Sequence, residues 1–337
     1  MTCNLTINFL NDQTIYCPGQ VLSGNVFLTK LGIFLIVLDN HPTNFICLGC
    51  VTIEIMETSQ FSGLRLTVNG LAICKFRDSH DESFFRRDTT FTGEERFIND
   101  SVYLFGTSRG DSKEFKPGTH KYQFSYRISH TIPSSVKAKH GKIRYNVEAN
   151  LQTSWEFDVY ARRSFTIIRF EDLSFRFDLM LPTSEEIVTS FCCWSCKTKP
   201  ITMRVKLPFT GYVPEQSIRL NILIDNRCGF DVYRTVISLK KKFTFISQQP
   251  SIRVWQEHKT LVKNIIDGAK NGRDTKILGI IEIPPFTLPT NDDISKVVKI
   301  SYNVQVSLDV VGFISKPKIS IPIIIGSKPL KFGITQF

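Results

Sequence analysis

The 337-residue sequence has no run of about 20 apolar residues, the length a helix needs to cross a bilayer. Its most apolar stretch, Gly32 to Leu38, is closed by Asp39, Asn40, His41 and Pro42. No segment longer than about twelve residues carries a clear 3.6-residue apolar period, so long amphipathic helices are excluded. The opening MTCNLTINFLND lacks a basic n-region and an apolar h-region, which predicts an intracellular chain without a secretory signal. Catalytic signatures are missing as well. None of the six histidines falls in a cysteine-nucleophile motif. Gly268 to Gly272, GAKNG, lacks the Gly-Lys-Thr/Ser end of a phosphate loop and reads as a hairpin turn. No enzyme, cofactor or metal is expected. Basic stretches are not interleaved with aromatics, so nucleic acid is not expected as a partner. Acidic residues are the scarcer charge. There are 31 against 42 Lys and Arg, and the formal charge of +11 favours phosphates, anionic lipid or acidic peptides.

What is present favours strands. The chain is 42% hydrophobic and 22% charged, ordinary for a globular protein, while 27 Phe lift the aromatic share to 12%. Length predicts two domains, each with its own core. Nine cysteines at irregular positions, an odd number, read as free thiols rather than a disulfide framework. Cys192, Cys193 and Cys196 lack a nearby fourth ligand for zinc, so buried or linker cysteine is the better reading.

The stretch Pro117 to Leu151 sets the pattern. Tyr122, Phe124, Tyr126 and Ile128 share one phase, and Ile143, Tyr145, Val147, Ala149 and Leu151 share another. Each run is a half-buried strand. Between them Pro133, Ser134 and Ser135 cannot continue a ladder, so the chain turns or crosses over there. Further alternation predicts strands at Asn4 to Leu10, Val21 to Thr29, Leu64 to Gly70, Ser101 to Phe105 and Ser164 to Phe170. Arg77 to Glu95 reads as a long hairpin or loop. Beyond Ile201 strands are expected around Ile218 to Ile224, Val232 to Ile246, Thr275 to Ile283, Val298 to Val310 and Ile319 to Ile325. The fold class is therefore all-β, two tandem immunoglobulin-like β-sandwich domains. A short echo supports duplication: Tyr16-Cys17-Pro18-Gly19-Gln20 and Tyr212-Val213-Pro214-Glu215-Gln216 each precede a strand. The expected organisation is an N-terminal domain at 1–171, a connection at 172–199, a C-terminal domain at 200–330 and a short tail at 331–337.

Several motifs follow in a recognisable order. They are Tyr16-x-Pro-Gly-Gln, Gly63-Leu64 to Gly70-x-Ala72, Pro117-Gly118-x-His120-x-Tyr122-x-Phe124, Ile132-Pro133-Ser134-Ser135 and Gly141-x-Ile143-Arg144-Tyr145. In the second half come Cys192-Cys193-x-x-Cys196, Gly211-Tyr212-x-Pro214 and Pro322-Ile323-x-Ile325-Gly326-Ser327. The sequence resembles the α-arrestins, the arrestin domain-containing proteins, over about residues 4 to 330. That resemblance implies the arrestin fold, a cytoplasmic place at plasma membrane and endosomes, and an adaptor role. Partners would be cytoplasmic parts of receptors or transporters, steered into ubiquitination, endocytosis or endosomal transport. A ubiquitin ligase is usually recruited through Pro-Pro-x-Tyr, and this sequence has only Pro284-Pro285-Phe286-Thr287. A structural subunit of a retromer-like sorting complex is the alternative. Leu31 to Cys50 departs from the family as an insertion, read as an extra strand pair, an exposed hairpin, or a segment foreign to the native fold.

One candidate contact surface emerges. Along Val232 to Ile246, Arg234, Lys240 and Lys242 share a phase opposite Ile237, Leu239, Phe243 and Phe245. This basic stripe suits acidic tails or anionic lipid; the plainer reading is a solvated edge strand defended by lysine.

Overall fold

The computed structural model describes residues 3–9, 14–16, 21–22, 47–82, 85–107, 110–129, 131–153, 157–193, 196–197, 199–314 and 316–331. The chain divides into two compact units. Unit 1 comprises Met1–Arg169 with Phe245–Val254 and Asp293–Val298; unit 2 comprises Phe170–Thr244, Trp255–Asp292 and Lys299–Phe337.

Unit 1 contains β1 (Cys3–Phe9), β2 (Ile15–Tyr16), β3 (Val21–Leu22), β4 (Cys47–Ile55), β5 (Ser59–Glu82) and β6 (Phe85–Gly106). After these come β7 (Lys113–Phe115), β8 (Gly118–Arg127), β9 (Val136–Lys137), β10 (Gly141–Thr153) and β11 (Val159–Ile167). One sheet runs β1-β4-β8-β3 and the other β2-β11-β10-β5-β6, with β7 and β9 beside β5 and β10. Alternation explains the layering. The inward phase of β1 is Leu5, Ile7 and Phe9, and that of β10 is Ile143, Tyr145, Val147, Ala149 and Leu151, all buried. Phe9, Tyr16, Phe165 and Tyr145 link the two layers, with successive centroids about 6 Å apart and mostly edge-on rings. The pair β8 and β10 lies in different sheets, so the Pro133-Ser134-Ser135 segment is a crossover. It is pinned to β11, since Ser135 Oγ accepts from Ile167 N–H at 3.0 Å and Ser134 Oγ from Arg169 N–H at 2.9 Å.

Two strands are longer than their alternation predicts. β5 and β6 form one hairpin, paired from Gly63 with Gly106 to Glu82 with Phe85, and the polar Arg77 to Glu95 stretch belongs to it. Register shifts at Leu64/Arg65 and Gly70/Leu71 break the period, which hides its length in the sequence. Of Leu31 to Cys50, positions 31–46 lie outside the described residues. Cys47 to Cys50 open β4, which pairs with both β1 and β8. The predicted strand at Val21 to Thr29 is described only at Val21–Leu22.

Unit 2 contains β12 (Thr183–Thr189), β13 (Cys192–Cys193), β14 (Cys196–Lys197), β15 (Ile201–Leu207), β16 (Gly211–Tyr212) and β17 (Ser217–Asn226). It continues with β18 (Val232–Ile246), β19 (Val254–Asp267), β20 (Arg273–Glu282), β21 (Val298–Val310) and β22 (Lys318–Ile325). The sheets run β12-β15-β17-β20 and β16-β22-β21-β18-β19, with β13-β14 separate. The four-stranded sheet buries Met203, Val205, Leu220 and Ile222, and the five-stranded one buries Leu239, Tyr302, Val304 and Ile321. Three expectations change here. β18 lies between β21 and β19, so it is not an edge strand. Gly268 to Gly272 joins β19 to β20, which belong to different sheets, so it is a crossing turn and not a hairpin. β12 lies within the aperiodic 172–199 stretch; as an exposed edge strand it has no apolar phase to reveal it.

Candidate functional site

The outer face of the β11-β10-β5-β6 sheet carries a trough of about 440 Å³. Its construction follows from register. One cross-strand row holds Tyr160, Asn150, Arg65 and Tyr103; the next holds Arg162, Glu148, Thr67 and Ser101. The third row holds Ser164, Asn146, Asn69 and Asn99, and the bulge at Gly70/Leu71 leads to Arg144, Leu71 and Arg96. Thr67, Ser101, Asn69, Asn99 and Asn146 supply short polar side chains, while Arg65, Arg96, Arg144 and Arg162 are long. That difference in reach makes the concavity.

Charge in the trough is one-sided, four arginines against Glu148. Arg162 pairs with Glu148, and Arg96 with Glu94 at 3.0 Å. Among the described residues Arg65 and Arg144 have no carboxylate partner. Arg65 Nε is buried without an acceptor, and Asn146, only 9% exposed, has a buried Oδ1 without a donor. Unmet buried donors and acceptors are costly unless something fills them. On the floor, Thr67 and Ser101 hydroxyls share a 2.9 Å hydrogen bond.

The basic stripe of β18 lies in unit 2 and does not line this trough. Arg234 is committed to Asp309, whose other carboxylate oxygen is paired with Lys316 Nζ at 2.7 Å. Lys316 first, and Arg234 with it, hold the Asp309 carboxyl below the usual range against the opposing effect of burial. Lys240 and Lys242 are half-buried and show no ion pair among the described residues. Between them Lys241, unmarked by the sequence pattern, lies with Nζ 4.6 Å from the Phe243 ring centroid and 5.9 Å from that of Tyr302. Burial, and then the charge of Lys259, lower its pKa to about 8.

Against this geometry the comparisons with known proteins are decisive. Residues 46–174 match the family described as Arrestin (or S-antigen), N-terminal domain, and residues 197–330 match its C-terminal domain. The chain belongs to the arrestin family. Among similar proteins, arrestin domain-containing protein 17 of Caenorhabditis elegans is 27% identical over 96% of this chain and 70% of its own length. Arrestin domain-containing protein 4 of Mus musculus is 24% identical over 83% of this chain and 67% of its own length. Arrestin domain-containing protein 1 of Homo sapiens is 24% identical over 83% of this chain and 60% of its own length. The α-arrestin-like assignment and the tandem β-sandwich fold are thereby established.

In this arrestin the four cysteines with described side chains, Cys3, Cys50, Cys74 and Cys228, are thiols outside any disulfide. The side chains of Cys192, Cys193 and Cys196 lie outside the described residues. No cluster of three His, Cys, Asp or Glu suited to a metal occurs among the described residues. No helix among them is long and apolar enough to cross a membrane. The trough went unread in the sequence because its residues belong to four separate strands. A signal was there: the outward phases of β5 and β10 carry Asn69, Asn146 and Asn150, and asparagine is unfavourable in strands unless the site uses it.

Proposed function

We propose that this arrestin-family protein is a non-enzymatic adaptor on the cytoplasmic face of plasma membrane and endosomes. It docks on receptors or transporters and directs their ubiquitination, endocytosis or endosomal transport. The observation that carries this reading is the pair of arrestin domains in one chain, at 46–174 and 197–330, together with its similarity to arrestin domain-containing proteins. A net charge of +11 suits acidic cytoplasmic tails and anionic lipid headgroups. Lys240 and Lys242, with Arg234 further along the same strand, form an anion contact in this reading. Within these 337 residues there is no Pro-Pro-x-Tyr. We further propose domain limits of 1–171 and 200–330, with 172–199 between them.

Affinity purification of the tagged chain from its own cells, with mass spectrometry of captured proteins, tests the reading. Enrichment of integral membrane proteins together with ubiquitin-pathway components is expected. A single stoichiometric soluble complex without membrane cargo would overturn it in favour of a retromer-like structural subunit.

A further inference from the structure

We propose that this chain self-associates as a two-fold symmetric homodimer, β20 pairing antiparallel with β20 of a second copy and Gly279 facing Gly279 on the axis. The contact lies wholly within unit 2 and is independent of the adaptor reading. Three observations combine.

The first is an open edge without charge at its centre. β20 ends the sheet β12-β15-β17-β20, and no strand pairs with its other side among the described residues. Its middle is Ile277-Leu278-Gly279-Ile280-Ile281, with Leu278 64% and Ile280 44% exposed on the outer face. Such an edge is a template for another strand unless charge or a bulge blunts it. The opposite edge, β12, is blunted: Glu185 and Glu186 lie in the middle of Thr183–Thr189, and Glu186 pairs with Arg204. β20 has no bulge either, since its pairing with β17 runs from Ser217 with Glu282 to Asn226 with Arg273 without a register shift.

The second is the direction of the main-chain groups. Ile283 N–H donates to Gln216 O at 3.1 Å, which turns the odd-numbered groups toward β17. The N–H and C=O groups of Lys276, Leu278, Ile280 and Glu282 therefore face the open side, where Asn264 Nδ2 donates to Ile280 O at 2.6 Å. A carbonyl has two lone pairs, so that bond leaves room for a ladder partner. The third is self-complementarity. With Gly279 on the axis, Leu278 meets Ile280 of the second copy and Lys276 meets Glu282 of the second copy, each pair twice by symmetry. Neither Lys276 nor Glu282 has an ion-pair partner among the described residues. Gly279 is required by the core, since a Cβ there would lie 2.4 Å from Ile237 Cδ1; on the axis it also keeps the central pair of the new ladder free of side chains. The sheet then runs continuously through both copies and ends on β12 at each side, so association stops at two.

The test is sedimentation velocity of the purified full chain over a series of concentrations. A species of twice 38.5 kDa is expected to grow as concentration rises. Leu278→Lys, at an exposed position, is expected to raise the dimer dissociation constant about tenfold or more with an unchanged far-ultraviolet circular dichroism spectrum. Lys276→Glu and Glu282→Lys each set like charges opposite one another twice, and each is expected to weaken the dimer by about the same factor. An equimolar mixture of these two variants restores both ion pairs in the heterodimer, so the mixture is expected to recover wild-type association. That recovery depends on the register and is not available to a surface effect of either charge alone. A wild type that stays monomeric at every concentration would overturn the proposal. So would a dimer indifferent to Leu278→Lys, or a mixture no better associated than either single variant.

Discussion

Gly70 faces Tyr145 across the β5-β10 ladder, and a Cβ on Gly70 would lie 2.7 Å from the tyrosine ring. The ring thus occupies the space that a side chain would take, and its hydroxyl donates to Pro133 O at 2.7 Å. Three sequence motifs, Gly70-x-Ala72, Gly141-x-Ile-Arg-Tyr145 and Ile132-Pro133-Ser134-Ser135, meet at this point. Gly70→Ala should destabilise by about 1–3 kcal/mol through overpacking. Tyr145→Phe should cost about 1–2 kcal/mol by leaving the Pro133 carbonyl unpaired. Urea unfolding followed by intrinsic fluorescence measures both; an unchanged midpoint for Gly70→Ala would show that the ring has another place to go.

Tyr16 and Tyr212 hold equivalent places in their own units. Each lies in a two-residue strand pairing in parallel with the last strand of its unit, and each ring is almost fully buried. In the second copy the turn is Pro214-Glu215, with Glu215 at φ 67°, a left-handed conformation that disfavours a side chain. The first copy has Gly19 at the matching sequence position. Glu215→Gly should therefore stabilise the protein, by up to about 1 kcal/mol, because relief of strain outweighs the added freedom of the unfolded chain. A lower urea midpoint for the variant would refute this.

Lys241 predicts how stability depends on alkaline pH. Its folded pKa is about 8 against an ordinary 10.5, so between those values the unfolded chain keeps a proton that the native chain has lost. Stability from this group rises with pH across that window. Cys74 opposes it. Burial lifts its thiol to about 11 from 9.0, so its contribution is present below 9 and is lost as pH climbs towards 11. Buried Tyr145, Tyr212 and Tyr302 act in the same sense above 10, since burial raises each. The net gain is confined to about pH 8 to 9. Wild type measured against Lys241→Met should gain relative stability over that range, and a flat difference would show that Lys241 is not titrating there.

Much of the fold is legible in the sequence where one face of a strand is buried. β10, β17, β18 and β22 announce themselves by alternation, and the Pro133 crossover follows from a residue that cannot join a ladder. β12 and β19 are silent for the opposite reason. They lie at sheet edges with both faces largely exposed, so no apolar phase marks them. The inward Lys241 is hidden by its chemistry, since a lysine in the apolar phase reads as surface although its ammonium lies over the Phe243 ring. The trough is legible only as composition, because register brings its rows together and the sequence alone does not supply register across four strands.

Asp309 decides how much of the β18 stripe is available to a ligand. It holds Arg234 and Lys316 together, so its single negative charge offsets part of the positive charge near that strand. Its lowered carboxyl pKa contributes stability above its ordinary 3.8, lost as pH falls through the folded value. Asp309→Asn should therefore do two things. It should lower the melting temperature at pH 7 and reduce the loss of stability on acidification, and it should release Arg234 and Lys316 as free cations. If the stripe meets anionic partners, retention on phosphatidylserine vesicles at low salt should rise with Asp309→Asn and fall with the double variant Lys240→Glu/Lys242→Glu. The two variants change charge in opposite directions at one face, so a specific contact requires opposite responses. Equal retention of both and of wild type would return Lys240 and Lys242 to a solvated surface.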